Sequence, residues 1–380
     1  MKQNAKEDSQ FDCITTACEE QWLYRFADGG VVYSQTYNRF VGLDAAGILA
    51  YQAFDAGAAP HDLLPSNRAD QPSTTEALDI IFALSRARFP EYSEQEEARD
   101  WQALTSSTRA NVEVHGIPVL VECPPQALEV LCRDCFMSCP STTQPARFNL
   151  RFERSLNSWT IFANDREIFA SIKDEQVGLG MLHAVRSLLY SEAQYDIAFH
   201  AAMVANDRHG IMLCAPRESG KSTLSAYLAA HGFTLISDEP ALLSMDTSSI
   251  SSVEMPISLK EGTWSILAGE WPQISDAPIH IRSDGRRIKF LHLKRESAIK
   301  AQRRLTHIVF PEYVPSSPAY IEALSPLRTL TLLNEGGMLL GKGMNREGFE
   351  QFLKIVCSLP AFATRYSSLL EAEQMIRGVL

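Results

Sequence analysis

An α/β core with a small α+β, winged-helix-like module in front of it is the fold this sequence predicts, and three observations predict it. From Asp196 onward, apolar strand-like runs and helical runs alternate, the signature of a sheet covered by helices. A Gly-Lys-Ser-Thr turn at 220–223 sits between one such strand and one such helix. Near the start, two short apolar and aromatic runs flank Ala27-Asp28-Gly29-Gly30, the composition of a hairpin turn.

At 380 residues the chain exceeds one domain of roughly 100–200 residues, so two units are expected. They are a front module at 18–100 and a larger domain at 106–380, with the α/β core from about 196. Hydrophobic residues at 45% and charged residues at 21% mark a chain that can bury a core, not a disordered one. Lys and Arg number 35 against 46 Asp and Glu, and the formal charge of −11 opposes a phosphate backbone, so nucleic acid is not an expected partner. No run of about 18 apolar residues occurs, so no membrane partner is expected. The start, 1–13, is polar and mixed in charge and does not read as a signal peptide, and the chain reads as cytoplasmic.

In chain order, 22–26 and 31–36 form a β ribbon and 43–54 a helix with Asp44 as N-cap and Gly57 as its stop. A loop at 65–75 leads to a periodic segment at 76–88, and a charged run at 91–100 marks the boundary. Residues 117–123, 147–153, 159–163 and 167–172 alternate as strands, and 177–190 reads as a helix. The core then runs strand 200–205, strand 210–214, helix 220–231 and strand 233–237, which ends at Asp238-Glu239. Eight cysteines without a secretory signal read as reduced thiols. Cys132-x-x-Cys135, near Cys123 and Cys139, has spacing that suits zinc or an iron–sulfur cluster. The competing reading is a helix at 126–137 that turns Leu128, Leu131, Cys132, Cys135 and Phe136 to one apolar face.

Residues 215–223 read Ala-Pro-Arg-Glu-Ser-Gly-Lys-Ser-Thr, a phosphate-binding loop with alanine where the pattern has its first glycine. Holding a polyphosphate demands backbone amides, a lysine and a metal-binding hydroxyl, and a strand–loop–helix passage supplies all three. Lys221 would bridge the terminal phosphates and Ser222 would ligate Mg²⁺ or Mn²⁺. Arg217, Ser219, Gly220 and Thr223 complete the nucleotide contacts. Glu218 is repelled by the phosphates unless it turns outward or meets a cation. Asp238 and Glu239, at a strand's carboxyl end, suit a general base and a metal partner, with Glu239 taken beside Ser222 at the metal. The competing reading is an acidic pair that caps a loop. His200, one strand earlier, is either a site residue or a core histidine.

At these residues the sequence resembles the HPr kinase/phosphorylase superfamily, in particular HPr kinase-related proteins found beside small PqqD-like partners. His200-Ala-Ala-Met-Val looks like the family's histidine-bearing strand, 215–223 like its phosphate loop, and Ile236-Ser237-Asp238-Glu239 like its strand with an acidic end. Met255-Pro256-Ile257-Ser258-Leu259-Lys260 and Val309-Phe310-Pro311-Glu312-Tyr313 are similar to two later elements. The resemblance covers about 196–380 and implies a P-loop kinase core of the HPr kinase C-terminal type. It implies ATP and Mg²⁺ as cofactors, Asp238 or Glu239 as base beside Lys221, and Lys260 near the phosphates. Ala215 and Glu218, where the family has glycine, depart from it. The front module resembles PqqD-like peptide-recognition domains, with an ordinary small domain as the alternative. The expected function is an ATP-dependent kinase acting on a hydroxyl, that of serine, in a peptide or small protein. Two alternatives stand beside it, a kinase of free serine or a similar metabolite and a nucleotide-binding adaptor without turnover. A homo-oligomer stays open.

Overall fold

Short apolar runs separated by turn residues fold here into five sheets, with seven α-helices among the described residues, a mixed α/β protein. The structure is a computed structural model that describes residues 11–15, 20–56, 108–114, 117–125, 142–155, 158–216, 218–251, 253, 255–282, 284–293 and 303–380. The segments at 65–75, 76–88 and 91–100, Gly57, and the cysteine helix with Cys132, Cys135 and Cys139 lie outside the described residues. Cys123, at the end of the strand Ile117–Cys123, is buried.

The chain divides into two compact units, and the division is not sequential. One unit joins 1–98 to 323–335 and 339–361; the other comprises 99–322, 336–338 and 362–380. In the first, the strands Asp12–Thr15, Gln21–Phe26, Gly29–Ser34 and Arg39–Leu43 form an antiparallel meander in that order. The two runs read from the sequence are its middle strands. Asp44 starts the helix Ala45–Asp55, its carboxylate accepting from Gly47 N at 2.7 Å. Leu23, Val32, Leu43, Ile48 and Tyr51 bury together beneath this sheet. The helix Arg346–Ser358 adds Phe349, whose ring stacks on Tyr33 at 4.2 Å.

The second unit carries a five-stranded sheet of Thr108–Val114, Ile117–Cys123, Phe148–Arg154, Trp159–Ala163 and Arg166–Ile172, in chain order. The helix Val177–Glu192 buries Met181, Leu182, Val185, Leu188 and Leu189 against Val119, Val121, Leu150 and Ile161. Each such side chain contributes about 1.5–3 kcal/mol by leaving water. The spacing of those five residues is the helical stripe that the sequence displays.

A six-stranded sheet carries the site. Four of its strands lie in the order Thr234–Ser237, Ala201–Ala205, Gly210–Cys214, His307–Tyr313. Ala201–Ala205 is antiparallel to both neighbours, pairing Ala201 with Cys214 and Met203 with Ser237. Gly210–Cys214 runs parallel to His307–Tyr313. The carboxyl ends of three strands and the amino end of the fourth therefore share one edge, which gathers Cys214, Ser237, Tyr313 and the residue before Ala201. The helix Lys221–Ala230 covers this sheet through Leu224, Ala226 and Leu228. No helix of the described residues is long and apolar enough to cross a membrane.

Candidate functional site

The strand Gly210–Cys214 is wholly buried and delivers Ala215 to that edge. The backbone then turns through two left-handed residues, Glu218 at φ 74° and Gly220 at φ 93°, into the helix that begins at Lys221. A Cβ at Gly220 would lie 3.3 Å from Tyr366 Oη and 3.6 Å from Tyr313 Cβ, so glycine answers both the conformation and the crowding. No side chain caps this helix. Its first-turn amides have no partner within the helix, and the positive end of the dipole faces the loop. Ser219 Oγ is buried without a hydrogen-bond partner. Thr223 is half-buried in the first turn. Arg217 lies outside the described residues.

Lys221 is 8% exposed and folds back across the loop, donating from Nζ to Ala215 O at 2.5 Å and Pro216 O at 3.1 Å. Burial pushes its ammonium below the ordinary lysine range, against the pull of Cys214, Asp238 and Glu239. One residue on, Ser222 Oγ donates to Asp238 Oδ2 at 3.0 Å, and Ser225 Oγ to Asp238 Oδ1 at 3.1 Å. Asp238 is buried, its direct bonds come from hydroxyls, and burial together with Glu239 pushes its carboxyl up.

The neighbouring carboxylate faces another way. Glu239 Oε1 lies 2.8 Å from His200 Nδ1, and Oε2 lies 3.4 Å from the Arg186 guanidinium. Burial alone would raise this carboxyl; Arg186 and His200 outweigh it and hold it down at about 2. The acidic pair is thus divided, with Asp238 turned to Ser222 and Glu239 to His200 and Arg186. The sequence reading set Glu239 beside Ser222; Asp238 occupies that position.

Because the folded-state value of Glu239 lies below its ordinary 4.5, the pair stabilises the protein above that value and the contribution fades as pH falls toward 2. A shift of this size corresponds to about 3 kcal/mol. Glu239→Gln is therefore expected to lower stability at pH 7 by about 2–3 kcal/mol and to converge with wild type near pH 2, as read by urea denaturation across pH. A constant difference between the two proteins across that range would refute the linkage.

A third cluster surrounds Glu218. Its carboxylate pairs with Lys260 Nζ at 3.5 Å and with Arg286. The strand Ile257–Lys260 pairs with Arg287–Leu291, setting Lys260 opposite Ile288, and Arg282 N donates to Arg286 O at 2.9 Å. That register collects Lys260, Arg282 and Arg286 at one end of a three-stranded sheet. The structure thus sets Ser222 beside Asp238, His200 beside Glu239 and Lys260 beside Glu218, and it adds Arg186, Ser225 and Arg286, which were not anticipated. Arg186 had one legible signal, as a lone cation within a helix otherwise rich in apolar residues.

Among the described residues, no group of three or more His, Cys, Asp or Glu side chains is gathered to hold a metal ion. No protein-family model matches the chain, and no curated protein matches it.

Proposed function

We propose that the chain is an ATP-dependent kinase with a P-loop core of the HPr kinase C-terminal type. It passes the γ-phosphoryl group to a hydroxyl, that of serine, on a peptide or small protein. The observation that carries this reading is the 3.0 Å bond from Ser222 to Asp238, which ties the helix start of the loop to the end of a neighbouring strand. Two hard oxygens meet there, and the Asp238 carboxylate is buried with its charge uncompensated by a directly bonded cation. A divalent ion relieves that cost, and oxygen donors suit Mg²⁺ or Mn²⁺. When bound, such an ion neutralises charge on the terminal phosphates.

The chain's own groups do the remainder. Loop amides and Lys221 hold the phosphates, and Ser222 with Asp238 holds the metal. Glu239 and His200 Nδ1 lie 2.8 Å apart at the strand edge, and the acidic pair there, Asp238 or Glu239, would take the proton of the incoming hydroxyl. Arg186 keeps Glu239 ionised and in place. The front module, similar to PqqD-like domains, would bring the acceptor by adding it as a strand to its sheet. The pairing of Glu218 with Lys260 and Arg286 favours a second reading, an adaptor that binds nucleotide without turnover, since cations suited to phosphate are already engaged.

The decisive experiment incubates the purified chain with γ-labelled ATP, with and without Mg²⁺, offering serine peptides and free serine as acceptors. Metal-dependent labelling of peptide supports the leading reading, and labelling of free serine alone moves it to a metabolite kinase. Binding of ATP with no labelled product would leave the adaptor.

A further inference from the structure

Glu218 occupies a backbone position that glycine adopts freely and other residues adopt at a cost, with φ at 74°. The carboxylate held there meets Lys260 from a strand end and Arg286 from a turn. Resting on the reading of 215–223 as a triphosphate site, we propose that Lys260 and Arg286 form a phosphate-anion subsite beside the loop, and that Glu218 is its built-in competitor, an internal carboxylate that an incoming polyphosphate displaces.

Charge count supports exchange over permanent closure. Lys260, Arg282 and Arg286 crowd together, and Asp284 pairs with Arg282 at 3.2 Å and with Arg286 at 3.6 Å. With Glu218 in place the cluster keeps one positive charge in excess; with Glu218 displaced it keeps two. Burial and the nearby Arg282 push the Lys260 ammonium down, so a further anion is welcome at this lysine. The side chains of Glu218 and Arg286 are each 49% exposed and that of Lys260 38%. Ion pairs as exposed as these are screened and contribute little, so a ligand with three or more charges outcompetes a single carboxylate. Competition of this kind sets a threshold of nucleotide affinity without altering the chemistry at Ser222 and Asp238.

The test measures binding of inorganic tripolyphosphate and of ATP to the full chain by calorimetry, in wild type, Glu218→Gln, Arg286→Gln and the double variant. Gln keeps the backbone cost of Glu218 and removes only its charge. Glu218→Gln should tighten tripolyphosphate binding about fivefold, the scale of releasing two exposed ion pairs. It should also steepen the dependence on salt, and in the Arg286→Gln background the gain should shrink to less than half. Lys260→Gln serves as a second background in the same comparison. Unchanged binding in Glu218→Gln, or a gain of equal size in both backgrounds, would overturn the competitor. The kinase reading fails separately. Tighter anion binding with no phosphoryl transfer by any variant removes the kinase alone, and transfer with no gain on losing Glu218 removes the competitor alone.

Discussion

Lys221→Ala is expected to lower metal-dependent phosphoryl transfer about 10³-fold or more while the protein remains folded. The size follows from removing a preorganised charged donor from a site where charge develops, a change that costs roughly 10²–10³ even for a neutral oxyanion donor. Retention of the fold follows from linkage. Burial lowers the affinity of Lys221 for its proton, so its charge is a cost to the folded state at neutral pH. The sign is that of a group whose folded-state value is depressed: the cost is absent above pH 10.5 and enters as pH falls through the lower, folded value. Truncation leaves the Ala215 and Pro216 carbonyls without this donor but removes a buried ammonium. These effects oppose each other, and the melting temperature should move by no more than about 5 °C, on the scale of 1–2 kcal/mol for a chain of this size. Single-turnover transfer and a thermal melt together decide it. Surviving transfer would remove Lys221 from the chemistry, and a collapsed melt would make it a structural residue.

Asp238 shows the same signature with the opposite charge. Its folded-state value is raised, so the proton it binds stabilises the protein below pH 3.8 and that contribution is lost as pH rises through the folded value. Burial thus works against the charged form of both groups, and both stand beside Ser222, Asp238 bonded to it directly and Lys221 as its neighbour in the chain. Perturbed ionisable groups gathered in one place are a common mark of a binding or catalytic site. Glu239 is the contrast. Arg186 and His200 hold its carboxyl below the ordinary range where burial pushes that of Asp238 up, so two adjacent carboxylates so alike in sequence differ in kind.

How much of this was legible in the sequence depends on distance along the chain. The loop could be read because its strand, turn and helix are contiguous, so Gly220, Lys221 and Ser222 reach their places by local geometry. Asp238 followed from its position at a strand end. The division of labour between Asp238 and Glu239 could not be read, because it is set by Arg186 on a helix some 50 residues earlier and by the register that brings His200 to the same edge. Arg286 was silent for a related reason: its partner, Glu218, is reached through a strand pairing that no periodicity announces. The flanking strands of the front sheet, Asp12–Thr15 and Arg39–Leu43, are short and carry Asp, Arg and Gly, so they lack the apolar run that marked their neighbours.

The least legible feature is that the front module closes with residues from the far end of the chain, and Phe349→Ala tests it. Phe349 is fully buried on the helix Arg346–Ser358, stacked on Tyr33 at 4.2 Å and tilted against Phe40 at 5.4 Å and Tyr24 at 5.6 Å. Tyr33 Oη also donates to Met344 O at 2.7 Å, a bond that joins positions 311 residues apart. Losing a fully buried aromatic ring costs about 3–5 kcal/mol in transfer and cavity terms. A sheet of four short strands with one helix beneath it has little stability in reserve, so the loss should unfold it locally. Amide exchange at 21–34 should accelerate by about 10²-fold or more, the equivalent of that energy, while exchange at 201–214 stays slow. Had the front module been closed by its own helix Ala45–Asp55 alone, removing a ring more than 300 residues downstream would leave the exchange at 21–34 unchanged.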